Sequence, residues 1–184
     1  MSEKELLRKE LKKARNKLSD SFIETNSELI FLNIKTVLNH LNFNSIAVYK
    51  SFNSEVSTDI TIDYLLDKNK NVCLPKIKNT NDMQFKKINS FTKMQLNKYG
   101  ILEPKNGNNI NQDEIDIFIV PCVGFNKDLY RIGMGKGYYD KFLSKNGAQK
   151  LIGIAFQDQL VNEAFQEKHD IKMDFIITEK SILS

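Results

Sequence analysis

Apolar and polar positions alternate along this chain with two different periods. Leu7, Leu11, Ala14 and Leu18 recur at helical spacing, so residues 3–17 predict an amphipathic helix. Ser19 and Asp20 interrupt it and offer a cap for the next element. Ile23, Ile30, Ile34, Val37, Leu38 and Leu41 then mark a second helix that ends near Asn42. SIAVYKSF (45–52) reads as a buried strand, and residues 58–66 as a helix that Thr58 or Asp59 can cap. NVCLPKI (71–77) predicts a second strand, stopped by Pro75, and MQFKKI (83–88) alternates as a half-exposed strand does. Residues 97–111 are polar and rich in Asn and Gly around Glu103-Pro104, which predicts an ordered loop. IDIFIVPCVGF (115–125) is almost wholly apolar, the signature of a central strand buried on both faces. A glycine-rich turn comes next, then a helix over 136–145, and LIGIAF (151–156) and DFIIT (174–178) supply further buried strands.

Strands alternating with helices at this spacing predict an α/β fold: a single domain over residues 1–184, with a largely parallel central sheet flanked by helices in three Rossmann-like layers. No internal repeat, low-complexity tract or linker divides the chain. Composition agrees with this picture. A hydrophobic fraction of 41% and a charged fraction of 27% over 184 residues suit a globular core that needs no staples. Cys73 and Cys122 lie inside apolar runs and read as small buried hydrophobes, with no spacing that resembles a zinc site. The N-terminus is charged from its third residue, unlike a secretory signal, and no window is long and apolar enough to span a bilayer. A cytoplasmic protein with no membrane or nucleic-acid partner is the expectation. The formal charge of +4 is a mild excess spread along the chain, compatible with an anionic ligand and unlike a concentrated basic stripe.

Candidate chemistry concentrates in RIGMGKGYYD (131–140), directly after the most apolar strand. Gly133, Gly135 and Gly137 alternate, so the backbone can turn tightly and present several N–H groups to one ligand. Arg131 and Lys136 add cationic donors, and the start of the following helix points its positive end to the same place. In open α/β sheets ligands sit beyond the carboxyl ends of the strands, where this segment falls. Together these features favour phosphate. Two familiar phosphate loops are excluded. A dinucleotide fingerprint needs glycine where Tyr138 stands, and a Walker A loop needs Ser or Thr where Gly137 follows Lys136.

The same segment resembles the signature of the 5-formyltetrahydrofolate cyclo-ligase family (5,10-methenyltetrahydrofolate synthetases). The resemblance extends along the whole chain. Lys4-Glu-Leu-Leu-Arg8 is similar to the family's N-terminal Lys-x-x-Leu-Arg element, and Glu55 with Thr58 to its Glu-x-x-Thr element. Pro75-Lys76, Glu103-Pro104, Pro121-x-x-Gly124-Phe125 and Lys172-x-Asp174 fall in the family's order. The sequence departs from the pattern at Asn126 and Leu129, where relatives usually carry Asp and Gly, which questions the local turn geometry.

The resemblance implies a role for each candidate residue, and several also have a plainer reading. Lys4 and Arg8 share one face at the edge of the first helix's apolar stripe; on their own they read as solvated charge, and the resemblance makes them ATP-phosphate contacts. It gives Arg131, Gly133, Met134, Gly135, Lys136, Gly137, Tyr138 and Tyr139 to the nucleotide as well, with Lys136 and Arg131 in the catalytic roles. Tyr139 could equally be packing inside its helix. Lys50 and Glu55, with Met134, Gly135, Lys136, Gly137 and Tyr138, are the implied substrate contacts, Glu55 accepting from the N–H edge of a reduced pterin. Asp140 stands close to the expected phosphates, a conflict that a bridging Mg²⁺ would resolve, and Asp174 is the implied second magnesium carboxylate. Alone, Asp140 reads as helix-dipole stabilisation and Asp174 as a charge at a strand edge. His40 and His169 are isolated in sequence and read as surface or helix-end residues.

The implied reaction is the ATP- and Mg²⁺-dependent cyclisation of 5-formyltetrahydrofolate to 5,10-methenyltetrahydrofolate. The candidate residues suit it: they comprise cations, backbone donors and metal ligands, with no nucleophile–base pair. The implied actor is a monomeric ligase, with a folate that can carry a polyglutamate tail. Two other classes compete. Another α/β phosphate-handling enzyme, of sugar-phosphate isomerase or CoA-transferase type, would leave the Tyr138-Tyr139-Asp140 run unexplained. A basic nucleic-acid module would bind with steep salt dependence.

Overall fold

The computed structural model of the chain describes residues 2–79, 82–143 and 149–184. The chain opens with α1 (Glu3–Arg15), started by a reciprocal capping box: Ser2 Oγ accepts from Glu5 N at 3.3 Å, and Glu5 accepts from Ser2 N at 3.0 Å. α2 (Asp20–Leu38) is capped by Ser19, whose hydroxyl accepts from Phe22 N at 3.2 Å. β1 (Ser45–Val48), α3 (Asp59–Asp67), β2 (Asn71–Asn79), β3 (Asp82–Lys87), β4 (Met94–Leu96), β5 (Leu102–Pro104) and β6 (Asn109–Ile110) follow. The second half runs β7 (Ile117–Pro121), β8 (Gly124–Phe125), β9 (Arg131–Ile132), α4 (Tyr138–Leu143), β10 (Lys150–Ile154), β11 (Phe175–Ile177) and β12 (Ile182–Leu183).

Eight strands form one sheet in the order β12-β11-β10-β7-β1-β2-β3-β6. The five inner strands from β11 to β2 are parallel, and β12, β3 and β6 pair antiparallel at the two margins. This is the α/β architecture with a mostly parallel sheet that the pattern predicts, and β7 occupies an inner position as its apolar run requires. Along β7, Ile117 and Ile119 face one layer while Phe118 and Val120 face the other, and all four are buried. The first layer is covered by Ile30, Ile34, Val37 and Leu38 of α2 and Ile62 and Leu65 of α3. On the second, Phe85 and Phe118 meet Phe142 of α4 with ring centroids 5.0–6.0 Å apart. α1 stands apart from both, with Leu7 and Leu11 on a satellite cluster of Val123, Ile132, Val161 and Phe165.

Several expectations need correction. β2 runs through Pro75 to Asn79; β1 pairs with it only as far as Cys73, and beyond that point β2 has an open side where a missing N–H is tolerated. The predicted loop 97–111 contains β5 and β6, because buried Glu103 accepts from Ile77 N, Gln95 Nε2 and Asn97 Nδ2 and so fastens the β4–β5 hairpin to β2. Thr58 does not cap α3 with its side chain; its hydroxyl donates to Tyr49 O at 2.7 Å and accepts from Ser51 N. The helix expected over 136–145 begins at Tyr138, and its expected end lies outside the described residues.

Candidate active site

β1 and β7 are parallel neighbours, so the segments leaving their carboxyl ends emerge side by side. From β1 comes the loop bearing Glu55, cross-tied by the Thr58 hydroxyl and by Tyr49, whose own hydroxyl donates to Val56 O at 2.9 Å. From β7 the chain turns at Cys122 into the β8–β9 hairpin and then the glycine loop. Gly135 and Gly137 hold φ values of +92° and +65°, the left-handed region that glycine enters without a side-chain clash, so these two glycines are required by the turn itself. Residues 134–137 are exposed, leaving Met134 and Lys136 on the open side of the loop.

α1 supplies cations from above. Arg8 Nε donates to Gly133 O at 2.8 Å and lies against Gly135, tying the helix to the loop. Lys4 is buried in an ion pair with Asp170, which also accepts from Glu167 N at 2.7 Å. Below the loop, Arg131, 3% exposed, pairs with Asp140 through Nη1 and Oδ1 at 2.7 Å. Among the described residues its Nε finds no partner, and neither does the buried hydroxyl of Tyr139. Buried donors left unpaired are costly, so both point to a ligand or solvent as the missing acceptor.

The Glu55 side chain is 11% exposed. Burial pushes its carboxyl above the usual carboxylate range, against the opposing pull of the Arg15 charge, the Phe52 N–H and Lys12. Burial first, and then Glu55, also raise the Tyr139 phenol, while Arg131 lowers it. Tyr49 is raised for the same leading reasons. The glycine-loop residues and the Glu55 loop therefore belong to one electrostatic neighbourhood. Burial drives the Cys73 and Cys122 thiols up to about 12, which fits small buried hydrophobes and removes them as nucleophiles.

Of the residues expected at the site, Arg8, Arg131, Gly133, Met134, Gly135, Lys136, Gly137, Tyr138, Tyr139, Asp140 and Glu55 gather at this end of the sheet. Lys50 follows β1 to the same end, but its amine is engaged by Asp59 at the start of α3. Asp174 is the exception. It precedes β11, where its carboxylate accepts from Leu151 N at 2.8 Å and pairs with Lys150 at the start of β10. Because β10 and β11 run parallel with β7, that is the amino end of the sheet, opposite the glycine loop. In this structure the Asp174 carboxylate closes the edge between β10 and β11. His169 is exposed at the surface, as its sequence position predicts, and stands 3.3 Å from Glu167.

Sequence reasoning did not single out Arg15, which is 5% exposed and reaches Cys122 O and Glu55. The signal was present. At about 100° per residue, Lys4, Arg8 and Arg15 fall within ~40° of one another on α1. Tyr49 was hidden inside a strand signal, and Asp170 carried no pattern of its own.

A glycine loop between cations, at the carboxyl ends of a mostly parallel sheet, defines the class: an α/β protein built to hold an anionic ligand beside a buried carboxylate. The profile of the 5-formyltetrahydrofolate cyclo-ligase family matches residues 1–179, so the chain belongs to that family, whose members are ligases. A probable 5-formyltetrahydrofolate cyclo-ligase of Schizosaccharomyces pombe is 31% identical over 201 residues, covering 98% of this chain and 97% of the relative. The 5-formyltetrahydrofolate cyclo-ligase of Haemophilus influenzae is 36% identical over 135 residues, 70% of this chain and 72% of the relative. Among solved structures, the 5,10-methenyltetrahydrofolate synthetase of Aquifex aeolicus superposes with a TM-score of 0.87 at 29% identity, covering 98% of this chain and 91% of that one.

Proposed function

We propose that the chain, residues 1–184 acting as one domain and as a monomer in the cytoplasm, converts 5-formyltetrahydrofolate to 5,10-methenyltetrahydrofolate with ATP as co-substrate. The observation that carries this reading is the convergence of the cation-flanked glycine loop and buried Glu55 at neighbouring strand ends, with the thiols silenced by burial. Such a site can position a phosphoryl donor beside a neutral amide and shows no nucleophile–base pair among the described residues.

The formyl group on N5 is an amide, so its oxygen is a poor leaving group. Transfer of the γ-phosphoryl to that oxygen gives an iminium phosphate and ADP; N10 then attacks the activated carbon, closes the ring and expels phosphate. Phosphoryl transfer depends mainly on positioning and charge stabilisation. In that scheme Lys4 and Arg8 hold the phosphate chain from α1, and Met134 with the glycine backbone lines it. Arg131 and Lys136 stabilise the charge that develops on the transferred group. Tyr138 and Tyr139 close the side of the loop, Lys50 lies beside the folate, and Glu55 accepts from the pterin N–H groups. A polyglutamate tail on the folate is compatible with the exposed lysines around the site.

A divalent magnesium ion suits the donor set at Asp140, a hard carboxylate already aligned by Arg131 next to the proposed phosphates. Bound there, it would neutralise phosphate charge. Asp174, which in this structure pairs with Lys150 and accepts from Leu151 N, is the second carboxylate that the family resemblance implies for the ion.

The test is the near-ultraviolet absorbance of methenyltetrahydrofolate when purified protein meets 5-formyltetrahydrofolate with ATP and Mg²⁺ present or withheld. The expected rise needs both and is lost in Asp140→Ala. Lys136→Ala should lower turnover by roughly 10²–10³-fold, the scale for losing one preorganised charge-stabilising donor. A folded protein that gives no rise sinks the reading, and near-normal turnover in the lysine variant removes Lys136 from the mechanism.

A further inference from the structure

Arg15 sits in the last turn of α1, where basic side chains usually extend into solvent beside the helix's negative end. This one turns inward. Its guanidinium is buried; Nη1 donates to Cys122 O at 3.3 Å, Nη2 lies 3.9 Å from Glu55 Oε1, and Nε has no partner among the described residues. Burying a guanidinium is expensive unless opposite charge and acceptors compensate it, so a purely structural role would be better served by an apolar side chain. The contacts Arg15 does make join three separate segments: the end of α1, the turn after β7 and the loop after β1.

Glu55 is arranged correspondingly. Its Oε2 accepts from Phe52 N at 3.0 Å, fixed by its own loop. Its Oε1 faces Arg15 at a distance that gives charge compensation without consuming a full hydrogen bond. One carboxylate oxygen is thereby anchored and the other held in register with lone pairs to spare.

We propose that Arg15 is a positioning residue for the substrate-binding carboxylate of Glu55: it clamps Glu55 against the turn after β7, fixing the folate-binding oxygen relative to the glycine loop. The inference deepens the cyclo-ligase reading and rests on it for Glu55's role toward the folate. The groups facing Glu55 are Arg15 and Lys12 from α1, the Phe52 N–H from its own loop, Tyr49 from the end of β1 and Tyr139 from α4. Arg15 is the cation in closest register, and its loss leaves a buried carboxylate with Lys12 as the remaining positive neighbour. The carboxyl then titrates at higher pH and accepts more weakly from the pterin at neutral pH, since charge-assisted acceptors are the stronger ones.

The experiment compares wild type with Arg15→Met, Arg15→Gln and Arg15→Lys by two readouts. The first is the Glu55 carboxyl ¹³C titration in glutamate-labelled protein; the second is the KM for 5-formyltetrahydrofolate and for ATP between pH 6 and 9. In Arg15→Met the Glu55 midpoint should move upward. The folate KM should rise by roughly tenfold at neutral pH and recover partly toward pH 9, with the ATP KM within about twofold of wild type. Arg15→Lys should return the midpoint toward its original position. If Arg15→Met does not fold, Arg15→Gln, which keeps a donor for Cys122 O, carries the same test. An unmoved Glu55 midpoint in the neutral variants, or equal losses in both KM values, would overturn the proposal. The two readings fail separately. Wild-type protein without cyclisation removes the reaction, while the carboxyl titration still reports whether Arg15 governs Glu55.

Discussion

Leu129 holds φ at +70°, in the region where a β-carbon crowds the backbone. The resemblance to cyclo-ligases places glycine here, and the turn keeps the glycine geometry even with leucine in place. Two features compensate: the side chain is buried with Phe125 and Met173, and the backbone is locked by Leu129 N donating to Asn126 O and Met173 N donating to Leu129 O. Leu129→Gly relieves ~1–2 kcal/mol of backbone strain, yet removing a buried leucine costs about 2–5 kcal/mol. The variant should therefore be net destabilised, by up to about 4 kcal/mol, in urea denaturation, and a gain in stability would show that burial does not sustain the strain. Glu55 gives a pH-dependent counterpart. Burial raises its folded value above the unfolded one, so its stabilising contribution is complete below the unfolded value and is lost as pH rises through the folded one. Wild type should lose stability relative to Glu55→Gln as pH rises from acid toward neutral, read as the slope of the difference in melting temperature. A flat difference would mean Glu55 is not perturbed. The positions of Asn126 and Leu129 were legible as departures from a pattern, but their effect was not, because a sequence does not report which neighbours hold a strained dihedral in place.

Elements were legible in proportion to how one-sided their environment is. β7 and the parallel strands beside it declare themselves by unbroken apolar runs, since both faces are covered. The β4–β5 hairpin did not, because its anchor is polar: buried Glu103 collects three donors from the surrounding chain, a pattern indistinguishable in sequence from a loop. The glycine loop could be read as a phosphate cradle from its residue types. The contacts of the two candidate carboxylates could not, for Asp140 and Asp174 look alike in one dimension, while in three Asp140 pairs with Arg131 and Asp174 with Lys150 and Leu151 N. Strand packing near the site also has a sharp tolerance. A β-carbon on Gly153 of β10 would sit 2.9 Å from Cys122 Sγ and 3.4 Å from Ile176. Gly153→Ala should cost about 1–3 kcal/mol by overpacking, measured by urea denaturation, and should shift the Cys122 turn whose carbonyl Arg15 grips. Unchanged stability would mean that this inner strand can spread without penalty.

Across the molecule, the two large cores and the site cations are held by different kinds of bond. The sheet with α2, α3 and α4 rests on extensive apolar layers, whereas α1 rests on a small satellite cluster and on polar ties from Arg8 to the glycine loop, from Arg15 to the turn after β7 and from Lys4 to Asp170. α1 carries three of the cations in the proposed site but little of the fold's buried apolar area, so it should open at lower free energy than the inner strands. A ligand that binds Lys4, Arg8 and the glycine loop together adds its binding free energy to closing that one joint. Saturating ATP with Mg²⁺ at about 100 times its dissociation constant stabilises the bound state by ~2.7 kcal/mol. Amide hydrogen exchange should therefore slow most in residues 3–15 and 133–137, with the amides of β7 and β10 changing least. If exchange slows equally in the inner strands, α1 is not a separate unit and the nucleotide acts on the domain as a whole. If it slows only in the loop, the α1 cations do not hold the nucleotide, and the phosphate site belongs to residues 131–140 alone.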